Sequence, residues 1–375
     1  MPARLLLAGA GHAHLHLLHR AAALRAAGLA PVLISPARFH YSGLAGAVLA
    51  GALPESANTV DVAALAAARG VPHLDGLLER VDTAARRAWL ADGRWMDFDL
   101  ASFNLGSVAA APAALLDAPG VWAVKPLGGL ATLRRRLVAE IEARERCPAL
   151  VVAGGGASAH EVAASLAALA RRHGVAPRVA LLGPAPGGKD GWAPPAALRT
   201  LRRNLAGQGI ALVEGRAVAR RPGACVLEDG TDLPCDMLVL ATGLRAHALV
   251  AELGLPVDAR GRLRLTSALH SVADPAIFAA GDCAVVEGHP RPMVGVFGVR
   301  AAPVLHHNLA VHAAGGKPAA FRPQRRWLAI LDLGDGTGLA ARGRLWWHGR
   351  AALWLKRRLD LGFVRRMRAA GEAQP

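Results

Sequence analysis

A strand, a glycine turn and a helix occur twice in this chain, about 145 residues apart, and no other feature constrains its fold as tightly. In the first copy Arg4 to Ala8 reads as a buried strand that leads into Gly9-Ala10-Gly11, and a helical pattern extends from about His12 to Ala27. Pro31 to Ser35 is the next apolar run, so strand, helix and strand close within about 32 residues, as one parallel unit does. In the second copy Ala149 to Ala153, Gly154-Gly155-Gly156, a helix from about Ala157 to His173 and a strand from Arg178 to Leu182 repeat the order. Two copies of one supersecondary unit predict two doubly wound domains rather than one large sheet.

A longer echo accompanies the repeat. Val81 to Leu90 with Asp92-Gly93 reads as a hairpin that leads into the run Phe98 to Leu105 and ends at Gly106-Ser107. In the second half Cys225 to Leu227, Asp229-Gly230 and Cys235 to Leu240 follow the same plan and end at Ala241-Thr242-Gly243. Ile277 to Ala280 is a further short strand before Gly281-Asp282, and Pro292 to Ala313 reads as an irregular entry into a helix. From Arg322 the composition shifts to Trp and Arg. The expected fold class is α/β: two doubly wound, Rossmann-like dinucleotide-binding domains with a C-terminal α/β appendage. The expected boundaries are 1–120 with 245–320 for the first domain, 121–244 for the second and 321–375 for the appendage.

Composition excludes several other classes. A chain of 375 residues suits two domains and a tail. The formal charge of +16 comes almost wholly from scattered Arg; the only lysines are Lys125, Lys189, Lys317 and Lys356. Because Ala, Gly, Pro and Arg are inflated together, the charge reads as a bias of the coding sequence, and no nucleic-acid partner is expected. Cys147, Cys225, Cys235 and Cys283 form no CxxC pair, which argues against a disulfide framework, a zinc knuckle and a close-spaced redox dithiol. A reducing cytoplasm fits that usage. No stretch offers about 18 uninterrupted apolar residues, so no membrane-spanning helix is expected.

The turns carry the chemistry. Gly9 permits the tight turn, and Gly11 lets a pyrophosphate approach the backbone N–H groups at the start of the helix. The third small position of such a turn is His14 here, whereas Gly154-Gly155-Gly156-Ala157-Ser158-Ala159 keeps a small residue there. Gly281 admits a ligand closely, and Asp282 at a strand end can accept hydrogen bonds from ribityl hydroxyls. A helix beginning near Gly295 can aim its N–H groups at the carbonyl end of a flavin. His12, His14, His16 and His19 lack a carboxylate or Cys to complete a ligand set, so no metal is expected.

With those residues in view, the chain resembles the pyridine nucleotide-disulfide oxidoreductase superfamily. The resemblance rests on Gly9-Ala-Gly-His-Ala-His14, Tyr41-Ser-Gly43, Val124-Lys125-Pro126, Ala279-Ala-Gly-Asp-Cys283 and Pro323-Gln-Arg-Arg326. The branch it resembles is the NADH dehydrogenase-like flavoproteins found alone or fused before selenide, water dikinase. It implies FAD held by Gly9, Gly11, His12, Gly281 and Asp282, with Gly106 and Ser107 passing near it, and NAD(P)H held by Gly154, Gly156 and Ser158. It also implies a catalytic pair at the contact of flavin and nicotinamide: Glu161, with Lys125 as its cationic partner or that of the flavin. The acidic residue that usually binds the adenosine ribose is Ser35 in the first unit and Gly183 in the second. The Gln-containing phrase of the quinone dehydrogenases is replaced by Gly295-Val296-Phe297-Gly298.

The expected reaction is hydride transfer from a nicotinamide nucleotide to FAD, then electron transfer to an unidentified acceptor, a quinone being one candidate. Two alternatives stay open: a flavoprotein oxidising sulfide or another small reductant, for which Cys283 is the cysteine beside the site, and a flavin-binding redox sensor without turnover. The segment from Leu345 to Arg368 interleaves Trp and Leu with Arg and Lys. It suits either a peripheral contact with the anionic inner face of a membrane or packing on its own domain or on the second copy of a homodimer.

Overall fold

Leu5, Leu6 and Leu7 are completely buried because their strand, Ala3–Ala8, is the middle of a parallel sheet covered on both faces. The computed structural model describes residues 1–184 and 192–368. In the first sheet the strands run in the order Ile277–Ala279, Leu100–Phe103, Ala3–Ala8, Leu29–Ser35 and His73–Asp75, all parallel. The second sheet has the order Val121–Ala123, Met237–Leu240, Leu150–Ala153, Val179–Gly183 and Ala211–Glu214, again all parallel. The two sheets correspond strand for strand. In each, the central strand ends at a glycine turn, and its neighbour on one side arrives from a three-stranded antiparallel meander.

Those meanders are Leu78–Asp82, Arg87–Leu90 and Trp95–Asp97 in the first half, and Ala217–Arg221, Ala224–Leu227 and Asp232–Pro234 in the second. The first is one strand longer than the expected hairpin. A second difference is the first helix, which is two: His12–His19 and Ala21–Ala26, parted at Arg20, whose ψ of 15° leaves the helical range. The predicted irregular entry at Pro292 settles into one helix, Gly295–Ala314, which packs on His12–His19.

Helix Ala157–Arg172 is buried along most of its length, because the second sheet, the short helix Ala45–Leu49 and the C-terminal sheet all pack on it. Its Ala-rich faces allow that crowding. The C-terminal sheet, Ala329–Asp332, Gly338–Arg342 and Leu345–Gly349, puts Leu331, Leu333, Leu339 and Ala341 into the core of the second half. Helix Arg350–Arg368 then crosses to the first half, where Val364 joins Leu44 and Val60 in a small core. The appendage therefore ties both halves together. Among the described residues no helix is long and apolar enough to cross a membrane.

Candidate functional site

The first turn closes around a side chain that lies 95 residues beyond Gly9, Asn104. Gly9 has φ +84°, and a Cβ there would stand 2.8 Å from the Asn104 carbonyl oxygen; one at Gly11 would stand 2.4 Å from Asn104 Oδ1. Asn104 Oδ1 accepts the N–H groups of Ala13 at 3.0 Å and His14 at 3.3 Å, while Nδ2 donates to the Ala280 carbonyl at 2.6 Å. The helix start is thus capped from inside. Among the described residues the N–H groups of Gly11 and His12 have no acceptor, and they are the donors left for a phosphate.

His14 explains its own departure from the glycine pattern. The ring is wholly buried, with Nδ1 2.6 Å from the Gly9 carbonyl and Nε2 2.8 Å from Ser102 Oγ. Burial pushes its pKa down to about 4, so the ring is neutral near pH 7. The Gly9 carbonyl only accepts, so Nδ1 carries the proton and Nε2 accepts from the Ser102 hydroxyl. The side chain turns into the core instead of obstructing the turn.

Asp282 follows Gly281, which has φ +78° and faces Asn104. Lys125 Nζ lies 2.8 Å from Asp282 Oδ2, Ser107 Oγ donates to the same oxygen at 2.7 Å, and Lys125 donates to Ser107 at 3.0 Å. Burial works against the charge on Asp282, but Lys125 and these hydrogen bonds outweigh it and hold the carboxyl below its ordinary value. Lys125 is therefore the partner of Asp282 and not of Glu161. It lies just past strand Val121–Ala123, where the chain passes between the sheets, and turns toward the first. His12 stands beside this cluster, edge-on to Phe39 at 5.2 Å and Tyr41 at 5.7 Å and tilted on Phe363 at 5.5 Å. A Cβ at Gly295 would lie 3.1 Å from the His12 ring, so the glycine lets that helix start pack tightly on it. Gly106, at φ +74°, faces open space.

Glu161 belongs to a second cluster. Its Oε1 accepts the Asp332 N–H at 3.0 Å and lies 3.4 Å from Lys356 Nζ. Lys356 also lies 3.2 Å from Asp360, to which the Tyr41 hydroxyl donates at 2.8 Å. Two carboxylates thus share one ammonium. Burial raises the Glu161 pKa, and Lys356 offsets that only in part. The Tyr41-Ser-Gly43 phrase is the receptacle: a Cβ at Gly43 would stand 2.6 Å from Asp360 Oδ1, and one at Gly46 would stand 3.0 Å from Glu161 Cγ. Lys356, grouped in the sequence with lipid-facing residues, has only 9% of its side chain exposed. Its spacing to Asp360, one helical turn, is the signal that could have revealed the pair.

At the second turn Gly154 has φ +151°, and a Cβ would stand 2.2 Å from the Ala241 carbonyl oxygen. Gly156 faces open space, Ser158 is exposed, and no side chain caps the helix start. Gly183 is at the strand end, where a Cβ would be 3.0 Å from the Gly154 carbonyl oxygen, which explains why no acidic residue stands there. Ser35 is buried, its hydroxyl donating to the Pro36 carbonyl at 3.0 Å beside His73. Cys283 is buried with Sγ donating to the carbonyls of Phe103 and Ala280, and burial pushes its thiol up to about 11. Among the described residues no group of three or more His, Cys, Asp or Glu could hold a metal.

The family model described as pyridine nucleotide-disulphide oxidoreductase matches residues 4–304. A NADH dehydrogenase-like protein of Mycobacterium tuberculosis is 30% identical over 225 residues, 57% of this chain and 56% of the relative. A nitric oxide reductase FlRd-NAD(+) reductase of Vibrio vulnificus is 30% identical over 230 residues, 59% of this chain and 55% of the relative. The chain thus spans about half the length of the curated relatives it matches. In fold it is similar to the sulfide:quinone oxidoreductase of Aquifex aeolicus, with a TM-score of 0.82 at 17% identity over 98% of this chain and 92% of that one.

Proposed function

Because the chain belongs to the pyridine nucleotide-disulphide oxidoreductase family, we propose that it is an FAD-dependent oxidoreductase that takes hydride from NADH or NADPH and passes the electrons to a second acceptor. The observation that carries this reading is the convergence of Asp282, Lys125 and Ser107 beside a helix start that keeps two unpaired N–H groups. FAD, when bound, supplies the hydride-accepting and electron-donating chemistry. The residues fit it. Gly9 and Gly11 let the turn close on Asn104, and Gly11 and His12 offer N–H donors to its pyrophosphate. Asp282 engages Lys125 and Ser107 through one oxygen and keeps the other for ribityl hydroxyls. Gly106 gives close approach, Gly281 lets the Asp282 turn pack on Asn104, and Ser35 stands at the adenosine end.

The open face at Gly156 and Ser158, with Gly154 shaping the turn, receives the phosphates of the nicotinamide nucleotide. Glu161, one turn further along the same helix, orients the nicotinamide end, and Lys125 supplies positive charge at the flavin end. We assign residues 1–120 with 245–320 to the FAD-binding unit and 121–244 to the NAD(P)-binding unit. The alternative, oxidation of sulfide or another small reductant, would have to run without the Cys283 thiol, which is buried and protonated. The test is an absorbance spectrum of the purified protein before and after NADH or NADPH under anaerobic conditions. A flavin spectrum that bleaches supports the reading. A colourless protein, or a flavin that neither nucleotide reduces, overturns it.

The acceptor side bears on a finer reading, peripheral contact of 345–368 with an anionic membrane. Leu345, Trp354 and Leu359 remain 73%, 62% and 49% exposed although Ala352, Lys356 and Val364 of the same segment are buried, and the exposed Arg350 and Arg358 lie among them. Such a face can sit in the headgroup layer of a cytoplasmic leaflet, from which a quinone could be drawn. Salt-sensitive co-sedimentation with anionic but not neutral liposomes tests it. Loss of monomer in solution at any salt would instead assign the face to a second copy of the chain.

A further inference from the structure

We propose that a cavity of about 530 Å³, separate from both glycine turns, binds a long-chain monocarboxylate, a ligand of the fatty-acid class. It lies between the two-stranded ribbon Arg38–His40 and Thr59–Asp61, the start of helix Gly129–Arg144 and the last turn of helix Arg350–Arg368. Strand alternation separates it from the flavin side: Phe39 packs on the His12 ring, so Arg38 and His40 face the opposite way, into the cavity. The volume is that of an ordinary small-molecule site.

The lining has two parts. Val48, Leu65, Leu127, Leu130, Ala131 and Met367 make an apolar floor. At the rim stand Arg38 and Arg368, and among the described residues neither has a carboxylate partner. Among the described residues Arg368 donates to the neutral carbonyls of Ser56 and Thr59, the latter at 2.7 Å, and to no carboxylate. Of the two rim acids, Glu55 pairs with Arg135 at 2.9 Å, whereas Asp61 caps the Ala64 N–H at 2.8 Å and keeps its charge, so the rim sets two guanidinium groups against one carboxylate. Burial lowers the His40 pKa, which leaves it a neutral hydrogen-bonding group.

An inorganic anion would leave the apolar floor against water, and a neutral lipid would leave the rim with an excess of positive charge. A ligand with an apolar chain and one carboxylate satisfies both, since guanidinium matches a carboxylate with two parallel hydrogen bonds. Its occupant would touch Met367 and Arg368, at the end of the helix that delivers Asp360 and Phe363 to Tyr41. Binding would thereby steady that helix on the first domain.

The test is calorimetric titration of the purified full-length protein with dodecanoate below its micellar concentration, beside dodecanol, acetate and inorganic phosphate. Saturable one-to-one binding of dodecanoate is expected, with dodecanol and acetate each at least about tenfold weaker, as the loss of a charge-assisted bond or of the buried chain implies. Arg38→Ala should weaken dodecanoate about tenfold, and Ala131→Trp, which fills the floor, should abolish binding while flavin absorbance is kept. Equal binding of dodecanol, displacement by phosphate, undiminished binding to Ala131→Trp, or no saturation at all would each overturn the assignment.

Discussion

The Tyr41 hydroxyl donates a 2.8 Å hydrogen bond to Asp360, and the same ring stacks on Phe363 at 4.6 Å. Asp360 also lies beside Lys356, which reaches Glu161 on the second-turn helix. One helix of the C-terminal appendage thus links the first domain, the second domain and the aromatic group around His12. The arrangement makes the appendage part of the site and not an ornament on it.

Tyr41→Phe removes the hydrogen bond and leaves the ring stack. A buried hydrogen bond to a charged group contributes about 1.5 to 3 kcal/mol, so the variant should lose that much stability. Denaturant unfolding measures it. An unchanged midpoint would mean that the hydroxyl does not hold the helix.

Glu161→Gln keeps shape and removes charge. Because Glu161 is built into the second-turn helix and not into the FAD cluster, flavin occupancy should hold while reduction by NAD(P)H slows about tenfold or more. Lys125→Met acts on Asp282 and should lower both flavin affinity and reduction rate. Stopped-flow reduction with flavin quantitation separates the two, and equal effects of both variants on flavin content would contradict the separate roles.

His14 sets an acid limit. Its folded pKa of about 4 is below the unfolded value of 6.5, so between those values the unfolded chain binds more protons. Stability is then complete above about pH 6.5 and falls as pH drops toward 4, by roughly 3 kcal/mol from this residue. His14→Gln should be less stable at pH 7 yet lose less between pH 7 and 4.5. Parallel pH profiles for the two proteins would show that His14 is not the titrating group.

What could be read in the sequence was what local chemistry dictates. Gly9, Gly154 and Gly281 all adopt positive φ, and the uncharged runs beside Gly9 and Gly154 are central buried strands, so both turns were visible without the fold. Asn104 was not, because nothing near it in sequence signals that it caps a helix 91 residues away. Tyr41 and Asp360 are 319 residues apart and meet only through the path of the appendage. Lys125 was expected to partner either Glu161 or the flavin; the fold sets it against Asp282 and gives Glu161 another lysine. Amphipathic periodicity in 345–368 could not distinguish a helix face turned to lipid from one turned to protein, and Lys356 is where the difference shows.

Gly11→Val tests the first turn. Its side chain would collide with Asn104, whose Oδ1 is 2.4 Å from the Cβ position, and would also cover the N–H donors. The variant should purify without flavin. Full flavin content in a folded variant would remove the first turn from the cofactor site.

In the proposed reaction the two turns divide the labour, the first holding FAD and the second presenting the nicotinamide. The direct measurement is anaerobic stopped-flow absorbance of wild type and Gly154→Ala mixed with NADH and with NADPH. A Cβ at Gly154 would meet the Ala241 carbonyl at 2.2 Å and displace the second turn alone. Wild-type flavin should bleach with at least one nucleotide, while the variant keeps its flavin and is reduced at least about a hundredfold more slowly. Equal reduction rates, or loss of flavin from Gly154→Ala, would contradict it.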